Sequence, residues 1–434
     1  MTPDPRIATP PPLPFHPDYR RVADELHSRP APRITAPVTI SHLALSTDAG
    51  GFERALERVA ELCRDYGAPP PFREHFHSVD LGRLEIRFER HTEFYTLTAV
   101  RPGRGLRPFE DRALDLLPEE WVAALPGEVT AACHLVLERR EPPPPAEIDA
   151  LFEGARVRAS RVMDGAAVVW TDWRPHGDGF CRFYAVDTGM DRFRAGRFVQ
   201  RILELDTYRM MALVGLPVAR RVAPTLLEVE RGLMEVTREI ATVRGLDGER
   251  ELLARLFALA ATSARLVAET AFRFGATRAY AQLVADRLAE LREERFDPYQ
   301  PLGQFLLRRF EPAVRTCESV AERMQTANDR VARAANLVRT RVDVEIQEQN
   351  QKLLASMERR AALQLRLQET VEGLSVVVLS YYALGLLGYV VKALPLSADI
   401  RKTVLGVAVP LVVGAVWLGI QRFRRRVLGR HGGA

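Results

Sequence analysis

Lysine is almost missing from this chain. Of its 61 basic residues only Lys352, Lys392 and Lys402 are lysines, so the formal charge of +5 is carried by arginine. The bias fits arginine-rich coding better than a nucleic-acid surface, since no basic-aromatic module accompanies it, and nucleic acid is set aside as a partner. Cysteine is scarce too. Cys63, Cys133, Cys181 and Cys317 stand far apart with no C-x-x-C pair, which excludes a disulfide framework or a zinc ribbon and predicts packed thiols in a reducing compartment. There is no G-x-x-x-x-G-K-[ST] phosphate loop, no G-x-G-x-x-G after a strand, no H-E-x-x-H and no G-x-S-x-G. The chain is therefore expected to be non-enzymatic and to carry no cofactor. The first 17 residues hold seven prolines and no apolar h-region, so no cleavable signal peptide is expected and the soluble bulk is placed in the cytoplasm.

Two further absences organise the C-terminal third. From Ala313 to Glu372, 60 residues pass without proline or glycine, enough for a helix of about 90 Å. From Gly373 to Val391, 19 residues pass without a charge, enough for a hydrocarbon core of roughly 30 Å. Pro312 suits the first position of that helix, where a missing N–H is harmless. After a short connection a second apolar run follows, Thr403 to Ile420, and then an arginine-rich tail. A long stalk helix feeding a two-helix transmembrane hairpin is the expected arrangement. Arg422, Arg424, Arg425, Arg426 and Arg430 in the tail outweigh Lys392, Arg401 and Lys402 in the loop. The positive-inside rule then places both termini in the cytoplasm of a multi-pass inner-membrane protein.

The rest is expected in order. Residues 1–35 form a proline-rich arm containing one short helix, stopped at Pro30. Residues 36–189 form a mixed α/β or α+β cytosolic domain. Strands are expected in PVTISHLALST, in RLEIRFERHTEFYTLTAV as a pair, in EVTAACHLVLERR, RVRASRVM, AAVVWTDW and GFCRFYAVD, with helices near 50–66 and 108–124. Residues 190–311 form a helical bundle, with helices ending at Pro217, running over 218–244 and 249–295, and breaking at Gly275. The stalk is 312–372, the hairpin 373–420 and the basic tail 421–434. In the stalk, Cys317, Val320, Met324, Ala327, Val331, Ala334 and Val338 follow 3-4 spacing, a coiled-coil-like seam. Beyond it the helix turns polar on every side from Arg341 to Asn350, which calls for water or for pairing in a homo-oligomer.

The stretches ELHSRP (25–30), FERHTEF (88–94), GRFVQRILELDTYRMMALVGLP (196–217), RFGATRAY (273–280) and RTRVDVEIQEQNQKLLASMERRAALQLRLQETVEGLSVVVLSYYALGL (339–386) resemble a bacterial family of uncharacterised membrane-anchored proteins, classed as a domain of unknown function. The resemblance runs nearly the whole length and implies no activity. The layout also resembles, more loosely, that of the CorA-type magnesium channels. Those end their first span in Tyr-Gly-Met-Asn; the corresponding place here reads Gly388-Tyr389-Val390-Val391, without the Gly-Met-Asn, and no filter residue carries over.

Candidate sites follow. Gln368, Ser375, Tyr382 and Tyr389 lie seven apart and share one helix face. Interhelical hydrogen bonding and an interfacial aromatic belt account for them, and a pore-lining stripe is the alternative. Gly406, Pro410 and Gly414 form a small-residue groove on the second span, where Pro410 can also kink it. Gln368, Glu369 and Glu372 sit at the cytoplasmic mouth, as ordinary boundary charges or as a cation-concentrating ring. FERHTEF puts Glu89, His91 and Glu93 at alternate positions, hence on one face of a continuous strand, with His75 and His77 upstream; this is the weak candidate for a divalent metal, against the simpler reading of a charged solvent face. Asp172, His176 and Asp178 are read as turn residues, and Arg197, Arg201, Glu204, Asp206 and Arg209 as ion pairs rather than an anion site. The expected function is a lipid-anchored, self-associating, non-enzymatic inner-membrane protein. The alternative is a CorA-like cation channel or transporter with a divalent cation as its partner.

Overall fold

The computed structural model describes residues 14–428 apart from 20, 21, 23–31, 72–74, 104, 106 and 395–397. Most of the proline-rich arm, including ELHSRP and the expected stop at Pro30, lies outside the described residues, as do the tail's side chains from Arg424 onward. The chain divides into two compact units. The first comprises residues 1–238 and 255–334, the second 239–254 and 335–434.

Unit one is built on a mixed nine-stranded sheet. Its strands are β1 (Val38–Ser46), β2 (Phe76–Asp80), β3 (Glu85–Arg90), β4 (Phe94–Pro102), β5 (Glu128–Arg139), β6 (Arg158–Val162), β7 (Ala167–Pro175), β8 (Cys181–Asp187) and β9 (Glu294–Arg295). The order across the sheet is β2-β3-β4-β1-β5-β8-β7-β6-β9, and only β5 and β8 run parallel. All seven strands expected from apolar alternation form. The ones that period-two patterning misses are β2, five residues long and half-exposed, and β9, which is two residues long.

One face of the sheet carries α1 (Ala49–Asp65), a 3-10 turn (Ala113–Leu116), α2 (Glu119–Ala123) and α3 (Pro145–Leu151). The first of these is capped by Asp48, whose carboxylate accepts the Gly51 N–H at 2.7 Å. The helix α3 hides in sequence behind four consecutive prolines, the last of which, Pro145, takes the first helical position. Phe52, Leu62, Phe88, Tyr95 and Trp121 fill one half of this face, and Phe152, Trp170 and Tyr184 the other.

The opposite face carries α4 (Arg192–Leu213), and its core continues into the helices expected to form a separate bundle. Phe198, Ile202, Met211, Val284, Leu306 and Phe310 pack in one cluster with Ile40, Leu135, Val169 and Phe183 of the sheet. The compact unit thus runs straight across the boundary expected at residue 189. Gly196 is required where α4 meets the N-terminal strand-like segment, because a Cβ there would lie 1.7 Å from the Pro32 carbonyl oxygen.

Most of α5 (Gly215–Ile240) and α6 (Leu246–Leu291) and the first part of α7 (Leu302–Ala393) complete the unit. Several expected boundaries move. The break after α4 comes at Val214, and Pro217 sits in the first turn of α5, where its missing N–H has no partner to lose. Gly275 does not interrupt α6, since an interior glycine costs only about 1 kcal/mol and buried Phe274 and Thr277 hold the helix on either side. Pro312 lies inside α7, which begins ten residues earlier at Leu302. Its first free N–H groups are met by side chains distant in sequence: the Leu302 N–H donates to Ser160 Oγ at 2.9 Å and the Gly303 N–H to Glu293 Oε1 at 2.9 Å.

Within unit one the expected seam is buried by the chain itself. Cys317, Val320, Met324, Ala327 and Val331 are buried, and Gly215, Thr277 and Cys317 meet where α5, α6 and α7 pack. In the second unit Ala335, rather than Ala334, continues the seam to Val338 and Val342. There Arg341 donates to the Ile240 carbonyl at 2.7 Å and lies 3.3 Å from buried Glu249.

Truncating Phe198, which is fully buried between α4 and the sheet, should lower stability by about 3–5 kcal/mol. The thermal midpoint of Phe198→Ala by circular dichroism, compared with that of the parent, checks this.

Candidate functional site

The sequence proposed two places for function, and the structure treats them differently. The first is the apolar C-terminal pair. Helix α7 continues without interruption through Gly373 to Ala393, and α8 spans Ala398–Leu428 with Pro410 in its interior. They come close at Gly388, where an added Cβ would lie 3.9 Å from Leu405. Among the described residues three helical stretches could cross a membrane by length and composition, one more than expected: Arg192–Ile240, Leu302–Ala393 and Asp399–Phe423. The extra one is α4 with α5, whose apolar residues Phe198, Ile202, Met211, Val222 and Leu226 are packed inside unit one. A third of its apolar window is buried, against 11% and 6% in the other two, whose mean hydropathies are 2.0 and 2.2.

On the last two helices large apolar side chains lie bare. Leu374, Val377, Leu386, Val390, Leu411 and Trp417 are all exposed. Of the expected polar stripe, Gln368, Tyr382 and Tyr389 are exposed, while the Ser375 hydroxyl donates to the Val371 carbonyl of its own helix at 2.8 Å. A Cβ added at Gly406 or Gly414 would meet nothing within 4 Å, so the small-residue groove around Pro410 is open in the single chain.

The second place is the FERHTEF hairpin. Here the strand is not continuous: β3 ends at Arg90, β4 starts at Phe94, and residues 91–93 make the turn. Glu89, His91 and Glu93 therefore do not share one strand face. His91 lies flat on Phe94, with ring centroids 4.2 Å apart, and 4.0 Å from Glu89. Glu93 is turned to Arg273 of α6, which holds both carboxylate oxygens at 2.7 and 2.8 Å. Among the described residues no group of three His, Cys, Asp or Glu side chains is gathered as a metal would need.

What the hairpin does line is a narrow cleft of about 60 Å³ between the sheet and α4, with His42, Glu89, His91, Thr98 and Glu204 in its wall. The imidazole of His42 sits on its floor, Nδ1 2.8 Å from Thr98 Oγ1 and Nε2 3.0 Å from Thr207 Oγ1. Burial pushes its pKa down to about 4. At the cleft's edge Tyr208 stacks on Tyr280, 5.8 Å between centroids, so three stretches that carry the family resemblance meet here: FERHTEF, RFGATRAY and the α4 segment. Glu204 is paired with Arg287 and Arg87 with Glu85 at 2.7 Å, so the wall is polar with its charges internally matched.

The turn TDWRPHGDGF separates into two pairs. His176 Nε2 lies 3.2 Å from Asp172, whereas Asp178 lies 3.3 Å from His134 of β5. With Ser41 Oγ 2.9 Å from His134 Nδ1, the second pair has the order of a Ser-His-Asp triad, which no sequence spacing announced. It is closed to chemistry. Ser41 accepts the Leu114 N–H, both Ser41 and His134 are buried, and Phe180 lies flat over the imidazole at 4.1 Å. On α4 the expected ion pairs form: Arg201 with Glu290 at 2.8 Å, Glu204 with Arg287, and Asp206 with Arg209. All four cysteines are free and buried.

A family model described as "Protein of unknown function (DUF3422)" matches residues 14–427. The chain belongs to that family. No curated protein and no solved structure matches it, so the looser likeness to CorA-type channels finds no support. The described DUF3422 fold joins an α+β sheet unit to long helices ending in two apolar ones.

Because the buried His42 is neutral when folded and titrates near its ordinary pKa when unfolded, stability should be full at neutral pH. It should decline as pH falls from about 6.5 toward 4. His42→Gln removes that titration, so the loss of thermal midpoint between pH 7.5 and 5 should be smaller in the variant than in the parent.

Proposed function

We propose that this DUF3422 protein is an integral inner-membrane protein in which the end of α7 and α8 form a two-span hairpin. The sheet unit lies on the cytoplasmic side, and copies associate through the spans without catalysis. The observation that carries this reading is the bare apolar surface of the last two helices, too long and continuous for water to cover and left uncovered by the chain. Lipid solvates such a surface and needs no partner groups, because every helical backbone bond closes within the segment. Arg422 and the arginines that follow it in sequence outnumber the three cations of the connection, which orients the hairpin with both ends inside.

Self-association is supported by two features of the second unit. The groove at Gly406 and Gly414 has nothing opposite it, and a second helix could approach closely there. Between residues 343 and 371 the helix leaves Leu353, Leu354, Met357, Leu363 and Leu367 about 60% exposed, a surface that a second copy of the same helix would bury.

The full chain should resist alkaline extraction from membranes, and a reporter fused after Ala434 should be active only in the cytoplasm. Extraction as a soluble protein, or a reporter active only outside, refutes the anchoring or the orientation respectively. Since the native thiols are buried, Gly414→Cys should form an oxidant-induced cross-linked dimer in membranes. A gel showing monomer alone at complete oxidation argues against contact along this groove.

A further inference from the structure

A second cleft, which α4 lines with Arg209 and Leu213, is strongly cationic. It encloses about 490 Å³, the size of a small-molecule pocket. Arg156 and Arg158 enter it from the start of β6, Arg174 from the end of β7, Arg209 from α4 and Arg309 from α7. Against these five guanidinium groups the lining offers one carboxylate, Asp172, which already accepts the Arg174 N–H at 3.1 Å and lies 3.2 Å from His176. Behind the wall, Asp206 pairs with Arg209. Among the described residues no carboxylate forms a salt bridge with Arg156, Arg158, Arg174 or Arg309.

Three of the five cations lie over aromatic rings. Arg158 and Arg309 lie over Phe305, at 4.0 and 4.4 Å from its centroid, and Arg209 lies 5.0 Å from the centre of Trp173. Trp173 owes its place to a bulge. The pairing of β7 with β8 slips between Thr171 and Pro175, and Trp173 takes a φ of 60°, a left-handed conformation that a bulky side chain rarely adopts. Three buried donors here, Arg158 Nε, Arg209 Nε and Trp173 Nε1, have no acceptor, although Arg158 and Arg209 are more than nine-tenths buried. Leaving buried donors and clustered like charges uncompensated is unfavourable, and such strain gathers where a ligand completes the site. The Arg158 guanidinium is held below the usual arginine range, by burial first and then by Arg156, Arg309 and Arg174.

We propose that this cleft is a binding site for a molecule with a terminal phosphate group and an apolar body. The phosphate is taken by the forked guanidinium groups of Arg158, Arg174 and Arg309, and the body lies against Phe305, Phe310 and Leu213. A phosphate monoester carries nearly two charges and three acceptor oxygens, which match several forks at once, whereas a single carboxylate satisfies one. The volume exceeds what one phosphate fills, and the apolar side of the lining accounts for the remainder. The same chemistry can come from a soluble phosphomonoester or from a lipid with a phosphomonoester headgroup. Neither source requires the membrane reading to hold.

The test is calorimetric titration of the full-length protein in neutral detergent at fixed ionic strength. The probes are phenyl phosphate, benzoate and mixed micelles containing phosphatidic acid. Phenyl phosphate should saturate and bind at least about tenfold more tightly than benzoate. Arg309→Gln and Arg174→Gln, both at exposed positions, should each weaken it about tenfold, and Arg333→Gln, on the same helix outside the cleft, should not. Tighter binding of phenyl phosphate than of phosphatidic acid supports the site with a soluble source, and the reverse supports it with a lipid source. If neither phosphate compound saturates folded protein up to about 10 mM, or if benzoate binds as tightly as phenyl phosphate, the proposal fails. It fails equally if both arginine variants bind like the parent.

Discussion

One helix must be at home in two surroundings. Residues 302 to 393 are continuous in hydrogen bonding, yet the first part of α7 is fixed by the core of the sheet unit and the last part is apolar with most of its large side chains exposed. Its start is not held by a local cap but by Ser160 and Glu293, side chains brought from β6 and from just beyond α6. The first turn of α7 is therefore tied directly to the sheet through Ser160 of β6.

The sheet unit spends its buried polar groups on architecture. His42 ties β1 to β4 and α4, Ser41 and His134 tie β1 to β5 and the 3-10 turn, and Glu93 with Arg273 ties the β3–β4 hairpin to α6. Each draws its partners from the chain itself, although His134 Nε2 and Arg273 Nε are left without a hydrogen bond. Buried donors without an acceptor occur elsewhere in the unit too, at Trp170 Nε1 and Arg182 Nε for example. The arginine cleft differs in gathering three of them beside four guanidinium groups that, among the described residues, no carboxylate pairs, and that concentration of charge points outward to a ligand.

Much of the framework was legible from residue order. Alternation gave seven strands, because half-buried strands repeat every two residues, and the amphipathic run near 50–66 with Gly67 at its end gave α1. The long helix and the uncharged runs declared themselves by what they exclude. Pro312, Pro217 and Gly275 misled because local propensity is worth about 1–3 kcal/mol, and tertiary packing outweighs it. The seam from Cys317 to Val331, expected to be coiled-coil-like, is buried, but periodicity states that a face is covered and not by what; here α5 and α6 of the same chain meet α7 at Gly215, Thr277 and Cys317.

The candidate sites divide along the same line. Hydropathy and length depend on composition alone, so the two apolar helices and their bare faces were determined by sequence, while the third apolar stretch needed the fold to show it packed inside. Whether Glu89, His91 and Glu93 point together depends on a turn at residues 91–93, and a one-residue change in strand length reverses a face. The arginine cleft was invisible in order of residues, since its cations come from positions 156, 158, 174, 209 and 309, on four separate elements or their edges. Sequence fixes how many arginines a chain owns; only packing decides which of them lose their water and their partners in the same small volume.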